Sequence, residues 1–275
     1  FVALGAGVQR WSALPPTAVL QNHRLILKSP GLAPHQADLA PLLQQAQAAG
    51  VLVWGELDLF AKALADLRDS RAYEPQVVAI TGTNGKTTVT ELTTHVCQDA
   101  GLDAVAAGNI SPAALSALMS AVDAQRLPQV WVLELSSFQL YYTHRLPSRA
   151  AVVLNLSQDH LDWHADDAEY AASKARIFAA TTQIIVNRDD AAVLALHPQP
   201  THTFGLSAPS HIGDAGLVQA GGLAWLAQAV NAEPDRKLKK NESPTLTLNR
   251  LMPADALRLR GSHNHSNALA ALLLA

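Results

Sequence analysis

The sequence predicts an α/β fold whose main domain is built on a mostly parallel sheet. Short apolar, β-branched runs alternate with segments of helical periodicity, which is the pattern of parallel strands joined by crossover helices. The apolar run at 77–80 leads through a glycine-containing turn into a helical segment at 89–100. The polar motifs follow predicted strands, and ligands of open parallel sheets bind at the carboxyl ends of the strands.

Composition excludes several classes of protein. The chain has 275 residues, of which 49% are hydrophobic, so it can bury a sizeable core and form two domains. Its net charge of -3 gives no electrostatic reason to expect a nucleic-acid partner. We see no apolar run of membrane-spanning length and no basic signal-peptide region. The single cysteine, Cys97, fits a reducing cytoplasm, and we expect it to be a buried structural thiol.

Residues 1–73 are predicted to form a small Rossmann-like N-terminal domain. Strands are predicted at 1–4, before Gly-Ala-Gly at 5–7, and at 25–27 and 51–54; helices are predicted at 39–49 and 56–67. The domain is shortened, because Pro15-Pro16 interrupts the first crossover helix. Ser29 and Gly31 could offer polar groups to a ligand or simply form a turn, and the residues alone favour the turn. A polar hinge is predicted at 69–75.

Residues 74–275 are predicted to form the central domain, which contains the glycine turn. Its parallel strands are predicted at 77–80, 103–107, 129–135, 150–156 and 183–186. Helices are predicted at 89–100, at 113–122 with Ser111 as cap and Pro112 in the first turn, and at 167–179. After residue 204 short strands with turns take over, including 245–248 and 256–259, and an Ala/Leu helix ends the chain.

The glycine turn has the features of a phosphate-binding loop. Its glycines, Gly82 and Gly85, let the backbone approach a ligand, and the N–H groups and dipole of the following helix favour an anion. Lys86 can reach the outer phosphates, and the hydroxyl of Thr87 is placed to bind Mg²⁺. The sequence therefore predicts a nucleoside triphosphate site, to which these other loop residues belong: Thr83, Asn84 and Thr88.

Other polar residues at predicted strand ends are candidate ligands. Glu134 lies at the end of a predicted strand, where a carboxylate is a poor choice for apolar packing. Its hard oxygen atoms suit Mg²⁺, so we favour a role as metal ligand. The cluster Asp-His-Leu-Asp-Trp-His at 159–164 is either a metal site, for which the zinc-ligand spacing is weak, or a turn with two helix-capping Asp residues. We take His160 as its functional residue and Asp162 and His164 as structural.

Four further residues are less specific signals. Taken from the residues alone, Lys174 on its predicted helix is a solvated charge. Asn109 is either a turn residue or a donor to a phosphate or sugar. Asn264 and Asn267 lie one helical turn apart, so their amides share one face of the helix. They could bind a nucleobase or stabilise the helix cap, and the residues alone favour neither role over the other.

Together these motifs resemble those of the Mur ligases of peptidoglycan synthesis. The motifs are Thr-Gly-Thr-Asn-Gly-Lys-Thr-Thr at 81–88, Gly-Asn-Ile at 108–110, Glu-Leu-Ser-Ser-Phe-Gln-Leu at 134–140, Asp-His-Leu-Asp at 159–162 and Gly-Ser-His-Asn at 261–264. The string at 134–140 and Lys-Ser-Pro-Gly-Leu at 28–32 resemble the branch that adds D-glutamate.

The resemblance implies an ATP-dependent ligase of peptidoglycan precursor synthesis, a cytoplasmic monomer without nucleic-acid or membrane partners. In such an enzyme the carboxylate of UDP-N-acetylmuramoyl-L-alanine attacks the γ-phosphate of ATP, and D-glutamate then attacks the acyl phosphate. The alternatives are a sister ligase for another amino acid, a folylpolyglutamate synthetase, or a non-catalytic ATP-binding module. The family also has a C-terminal domain beyond residue 275, so we expect this chain alone to bind substrates with little ligation.

The resemblance also implies roles for individual residues. Lys86 would neutralise the β- and γ-phosphates, Thr87 and Glu134 would hold one Mg²⁺, and His160 a second. Lys174 would be carbamylated near that second ion, which replaces the solvated interpretation. The remaining implied contacts are Asn264 and Asn267 to ATP, and Ser29, Gly31, Asn109 and Ser137 to the UDP-linked substrate.

Overall fold

The computed structural model describes residue 20 and residues 23–159, 162–236 and 243–275. At its N-terminal side, strands β1 (Leu25–Leu27) and β2 (Leu52–Trp54) pair in parallel, and helix α1 (Ala40–Ala48) connects them. We call residues 23–54, which contain these three elements and the turn after β1, the N-terminal unit. The strand predicted at 1–4 and the glycine turn at 5–7 lie outside the described residues.

The described remainder is organised around a mixed sheet, and we call it the central unit. Its strands are β3 (Gln76–Thr81), β4 (Ala104–Gly108), β5 (Val130–Glu134), β6 (Ser148–Val153), β7 (Thr181–Asn187), β8 (His202–Phe204), β9 (Ala215–Ala220), β10 (Leu223–Asn231) and β11 (Leu246–Pro253). Their order is β11-β10-β9-β8-β7-β6-β3-β5-β4. Neighbours from β4 to β9 are parallel, whereas β10 is antiparallel to β9 and β11. The predicted mostly parallel α/β fold is therefore confirmed.

Helices cover both faces of this sheet. They are α2 (Glu56–Arg71), α3 (Lys86–Asp99), α4 (Ala114–Asp123), α5 (Ser137–Tyr141), α6 (Asp167–Ala175), α7 (Ala191–Leu196) and α8 (Ser262–Leu274), with 3₁₀ turns at Arg176–Phe178 and Ala254–Ala256. Side chains alternate along β3: Val78 and Ile80 join one apolar cluster, and Val77 and Ala79 join the other. Cys97 is buried in the first cluster, as expected for a structural thiol.

Helix α2 packs with the central sheet. Its Leu57 and Phe60 are fully buried in the cluster that contains Trp131, and the rings of Phe60 and Trp131 meet edge to face at 5.6 Å. These contacts place α2 in the central unit. The domain boundary near residue 73 remains a prediction.

Three local predictions were wrong. Helix α4 begins at Ala114, so Ser111 is not its cap and Pro112 is not in its first turn; instead the carbonyl of Pro112 closes a turn with the N–H of Gly108 at 3.0 Å. The segment at 256–259 is not a strand, because residue 256 belongs to the 3₁₀ turn Ala254–Ala256 and a bend at 258–259 follows it. The polar hinge at 69–75 is partly helical, because α2 continues to Arg71.

None of the helices in the described part of the chain is long and apolar enough to cross a membrane.

Candidate active site

The glycine loop connects β3 to the first residue of α3. Gly85 stands at the N-cap of α3 with φ of 83°, and a Cβ atom there would lie 2.7 Å from Oδ1 of Asn267. A Cβ atom on Gly82 would lie 3.0 Å from Cβ of Leu154. Both glycines therefore permit close approach of other segments, and Gly85 also permits a left-handed backbone.

Asn155, which follows β6, fixes the loop by a reciprocal pair of hydrogen bonds. Its Oδ1 accepts from the N–H of Asn84 at 2.8 Å, and its Nδ2 donates to the carbonyl of Asn84 at 3.0 Å. The Thr83 hydroxyl lies 3.0 Å from that of Tyr170 on α6. Sequence reasoning missed Asn155, although a polar residue at the end of a parallel strand was the available signal.

Two lysines converge on the same loop carbonyl. The amine of Lys86 donates to the carbonyls of Gly82 and Thr83 at 3.1 and 2.9 Å. The amine of Lys174 donates to the carbonyl of Gly82 at 2.9 Å and lies 4.7 Å from the ring of Tyr170. Lys174 is only 1% exposed, so its interpretation as a solvated charge was wrong.

Burial changes the acidity of both amines. It lowers the pKa of Lys174 to about 7; the charge of Lys86 acts in the same direction, and Asp159 opposes it. Burial also lowers the pKa of Lys86, against the opposing pull of Glu134 and Asp159. The loop therefore lies beside one lysine that is readily neutralised and a second lysine whose charge nearby acids support.

Glu134 brings the ends of β5 and β4 to the start of α3. Its Oε2 accepts from the hydroxyl of Thr87 at 2.7 Å, and its Oε1 accepts from Nδ2 of Asn109 at 3.0 Å. The carboxylate is 2% exposed, and its two partners are neutral. A buried anion beside a hydroxyl is a donor set of hard oxygens, which fits Mg²⁺.

The candidate second metal ligand, His160, lies outside the described residues. Among the residues that are described, no group of three or more His, Cys, Asp or Glu side chains converges as a metal site. The fit to a metal ion therefore rests on Thr87 and Glu134.

Asn264 and Asn267 lie on α8, beside the glycine loop. Asn264 donates to the carbonyl of Arg260 at 2.8 Å, and Asn267 donates to Oδ1 of Asn264 at 3.1 Å. Asn267 also lines a cavity of about 380 Å³ together with Gly85 and Asp189. The pair thus stabilises the helix start, and Asn267 in addition faces a space next to the loop.

The remaining predicted substrate residues lie elsewhere. Oγ of Ser137 is buried 2.9 Å from Nε2 of His164, which agrees with the structural role expected of that histidine. Ser29 and Gly31 form an exposed turn, which the N–H of Leu32 closes by donating to the carbonyl of Ser29 at 3.3 Å. Among the described residues, Trp163 contacts this turn, because its Nε1 donates to the carbonyl of Pro30; the turn is thus tied to Trp163 and not to the glycine loop.

Comparisons with known proteins agree with this architecture. The family model described as Mur ligase middle domain matches residues 80–275. The chain is 49% identical to proteins of Burkholderia mallei and Burkholderia pseudomallei named UDP-N-acetylmuramoylalanine--D-glutamate ligase, across 96% of this chain and 55% of each relative. The chain therefore spans about half the length of these curated relatives.

Solved structures show the same fold at lower identity. A UDP-N-acetylmuramoyl-L-alanyl-D-glutamate--2,6-diaminopimelate ligase is 21% identical with a TM-score of 0.58, over 90% of this chain and 56% of that one. The MurF ligase from Thermotoga maritima in complex with ADP is 16% identical with a TM-score of 0.53, over 92% of this chain and 63% of that one.

Proposed function

Since this chain belongs to the Mur ligase family, we propose that it supplies the ATP site of a ligase that adds D-glutamate to UDP-N-acetylmuramoyl-L-alanine. The observation that carries this proposal is the contact of the buried Glu134 carboxylate with Thr87, at the start of the helix that follows the glycine loop. Phosphoryl transfer needs positioning and neutralised charge more than covalent help from the protein. The 49% identity to D-glutamate ligases supports the choice of amino acid.

The reaction proceeds in two steps. An oxygen of the substrate carboxylate attacks the γ-phosphorus of ATP, the bond to the β-phosphate oxygen breaks, and ADP leaves. The amine of D-glutamate then attacks the carbon of the acyl phosphate and loses a proton, and phosphate leaves with the former carboxylate oxygen. The chain's part in the first step is electrostatic: Lys86 and the first N–H groups of α3 offset the negative charge of the outer phosphates.

Thr87 and Glu134 would hold a magnesium ion. A bound Mg²⁺ neutralises phosphate charge and orients the phosphate oxygens. Asn109 fixes the Glu134 carboxylate through its hydrogen bond, so an orienting role accompanies its proposed contact with the UDP-linked substrate. His160 and Lys174 are proposed for a second ion.

We also propose that Lys174 carries a carbamate in the active protein. The contacts that support this are its burial and its position against the carbonyl of Gly82. A neutral amine adds CO₂, and a pKa of about 7 leaves much of this amine neutral at physiological pH. The product is an anion. A protonated Lys174 repels the positive charge of Lys86, whereas a carbamate on Lys174 attracts it. Mass spectrometry under native conditions, with labelled bicarbonate, would detect the carbamate.

The other site residues keep their proposed partners. Ser29, Gly31 and Ser137 would contact the UDP-linked substrate; Asn264 and Asn267 would contact ATP together with the glycine-loop residues Thr83, Asn84 and Thr88. The position of Asn267 on the cavity beside Gly85 supports its assignment. We further propose that the protein works as a monomer in the cytoplasm, where its buried thiol stays reduced.

An amino-acid panel tests this function. ADP release is measured on the protein at its natural length with ATP, Mg²⁺ and UDP-N-acetylmuramoyl-L-alanine, with one amino acid added at a time. We expect release with D-glutamate and little with L-glutamate. Release with a diamino acid or L-alanine would instead indicate a sister ligase, folate-dependent release a folylpolyglutamate synthetase, and ATP binding without release a non-catalytic module.

A further inference from the structure

Lys28 is a buried lysine at the contact between the N-terminal unit and the central unit. It is only 6% exposed. Its amine donates to the carbonyl of Ser29 at 3.0 Å and to the carbonyl of Leu32, so it holds the turn that follows β1 from within. Burial lowers the pKa of Lys28 to about 8, which is consistent with this enclosed position.

The same amine also contacts two aromatic rings of the central unit. It lies 4.1 Å from the ring centroid of Tyr142 and 5.4 Å from that of Trp163. Trp163 also binds the turn after β1 directly, because its Nε1 donates to the carbonyl of Pro30 at 3.1 Å. We call Lys28, Pro30, Tyr142 and Trp163 the Lys28 clasp. It ties one turn of the N-terminal unit to two segments of the central unit.

Both of those segments also carry candidate site residues. Tyr142 directly follows α5, which begins at Ser137. Trp163 lies three positions after His160 and precedes His164, whose ring is 2.9 Å from Oγ of Ser137. The rings of Trp163 and Phe138 stack at 4.6 Å, which makes the central side of the clasp one packed aromatic group. The turn itself carries Ser29 and Gly31.

From this arrangement we propose that the Lys28 clasp positions the UDP-linked substrate. The clasp would fix the turn at 29–32 against the central unit. It would thereby set the distance between this turn, which is proposed to bind the UDP-linked substrate, and the glycine loop, which is proposed to hold the ATP that phosphorylates the substrate carboxylate. Lys28 and Trp163 are then positioning residues of the ligase, and this inference rests on the function proposed above. Holding reacting groups in register governs rate and affinity for the held substrate, and it leaves the separate ATP site untouched.

The test is steady-state kinetics of Lys28→Met in the protein at its natural length. Methionine keeps most of the length of the unbranched side chain and removes its charge and donors. We expect kcat/KM for UDP-N-acetylmuramoyl-L-alanine to fall about tenfold, from loss of a desolvated cation–π contact and its hydrogen bonds, while KM for ATP stays within about twofold. Lys62→Met is the matched control, because Lys62 is exposed on α2 and pairs with Asp66. It should leave both constants unchanged.

Two further variants separate positioning from a merely structural contact. Lys28→Arg keeps a cation over the rings and should recover part of the loss. Trp163→Phe keeps an aromatic ring, removes the donor to Pro30 and shortens the ring system, and it should give a smaller loss of the same kind. It also serves if Lys28→Met fails to fold. Equal losses toward ATP and toward the UDP-linked substrate, or unchanged constants in both folded variants, would overturn the inference.

A separate readout distinguishes failure of the clasp from failure of the proposed function. If the unsubstituted protein releases no ADP with any amino acid, the ligase proposal fails. Calorimetric titration with UDP-N-acetylmuramoyl-L-alanine then tests the clasp alone. Weaker binding by Lys28→Met, with Lys62→Met unchanged, supports positioning; equal binding by all three proteins overturns it.

Discussion

Replacing Lys174 with methionine should change how the stability of the protein depends on pH. The pKa of Lys174 is lowered from 10.5 to about 7 in the folded state, so between these values the unfolded chain binds more protons than the folded one. The free energy of unfolding therefore rises with pH in this range and falls as pH drops toward 7. Integrated from pH 7 to pH 9, this increase in the free energy of unfolding amounts to about 2 kcal/mol.

The assay is urea unfolding of the unsubstituted chain and of Lys174→Met at pH 7, 8 and 9, in buffers freed of CO₂ so that the amine is unmodified. Titrations common to both proteins cancel in the difference. We expect the unsubstituted chain to gain about 2 kcal/mol relative to the variant over this range. Lys62→Met is the control, because its side chain is 56% exposed, and its curve should run parallel to that of the unsubstituted chain. A parallel curve for Lys174→Met would refute the reasoning from burial.

Two further substitutions probe the candidate active site. Glu134→Gln keeps the shape of the side chain but loses its charge, so activity should fall at least about 100-fold and recover partly at high Mg²⁺ in a titration of rate against metal. Gly85→Ala should lower the free energy of unfolding by about 1–3 kcal/mol and raise KM for ATP, because the backbone is left-handed and the new Cβ meets Asn267. Gly101→Ala isolates the backbone effect, since φ there is 86° and nothing lies within 4 Å of the added carbon; equal losses in the two variants would argue against the close approach.

The parallel core of the fold could be predicted because its strands are continuous apolar runs. Periodicity could not give the strand order, in which β3 lies between β6 and β5, because that order is set by long-range packing. The three-residue β8 was too short to give a pattern. The short helix α5 was missed although its signal was readable: Ser136 and Gln139 form a capping box.

Contacts within the candidate site could be predicted where they depend on strand ends and motif spacing, whereas the roles of the residues stay predictions. The structure brings Thr87 and Glu134 into contact across 47 positions of sequence, as parallel strands that end at one edge require. The burial of Lys174 could not be read from its own position, since a lysine on a short helix usually faces water. Tyr170, one turn earlier on the same face, was the available indication, because a large aromatic side chain there favours a face that packs against the protein, and Tyr170 is indeed buried. The Lys28 clasp joins residues too distant in sequence for any spacing rule.

The central claim is that this site activates a carboxylate by phosphorylation, and a heavy-oxygen label tests it most directly. UDP-N-acetylmuramoyl-L-alanine labelled in its carboxylate is turned over with ATP, Mg²⁺ and D-glutamate by the protein at its natural length. The phosphate released is then analysed by mass spectrometry. We predict that each phosphate carries one labelled oxygen, transferred when the acyl phosphate breaks down. Unlabelled phosphate, released at the rate of product formation, would contradict the account.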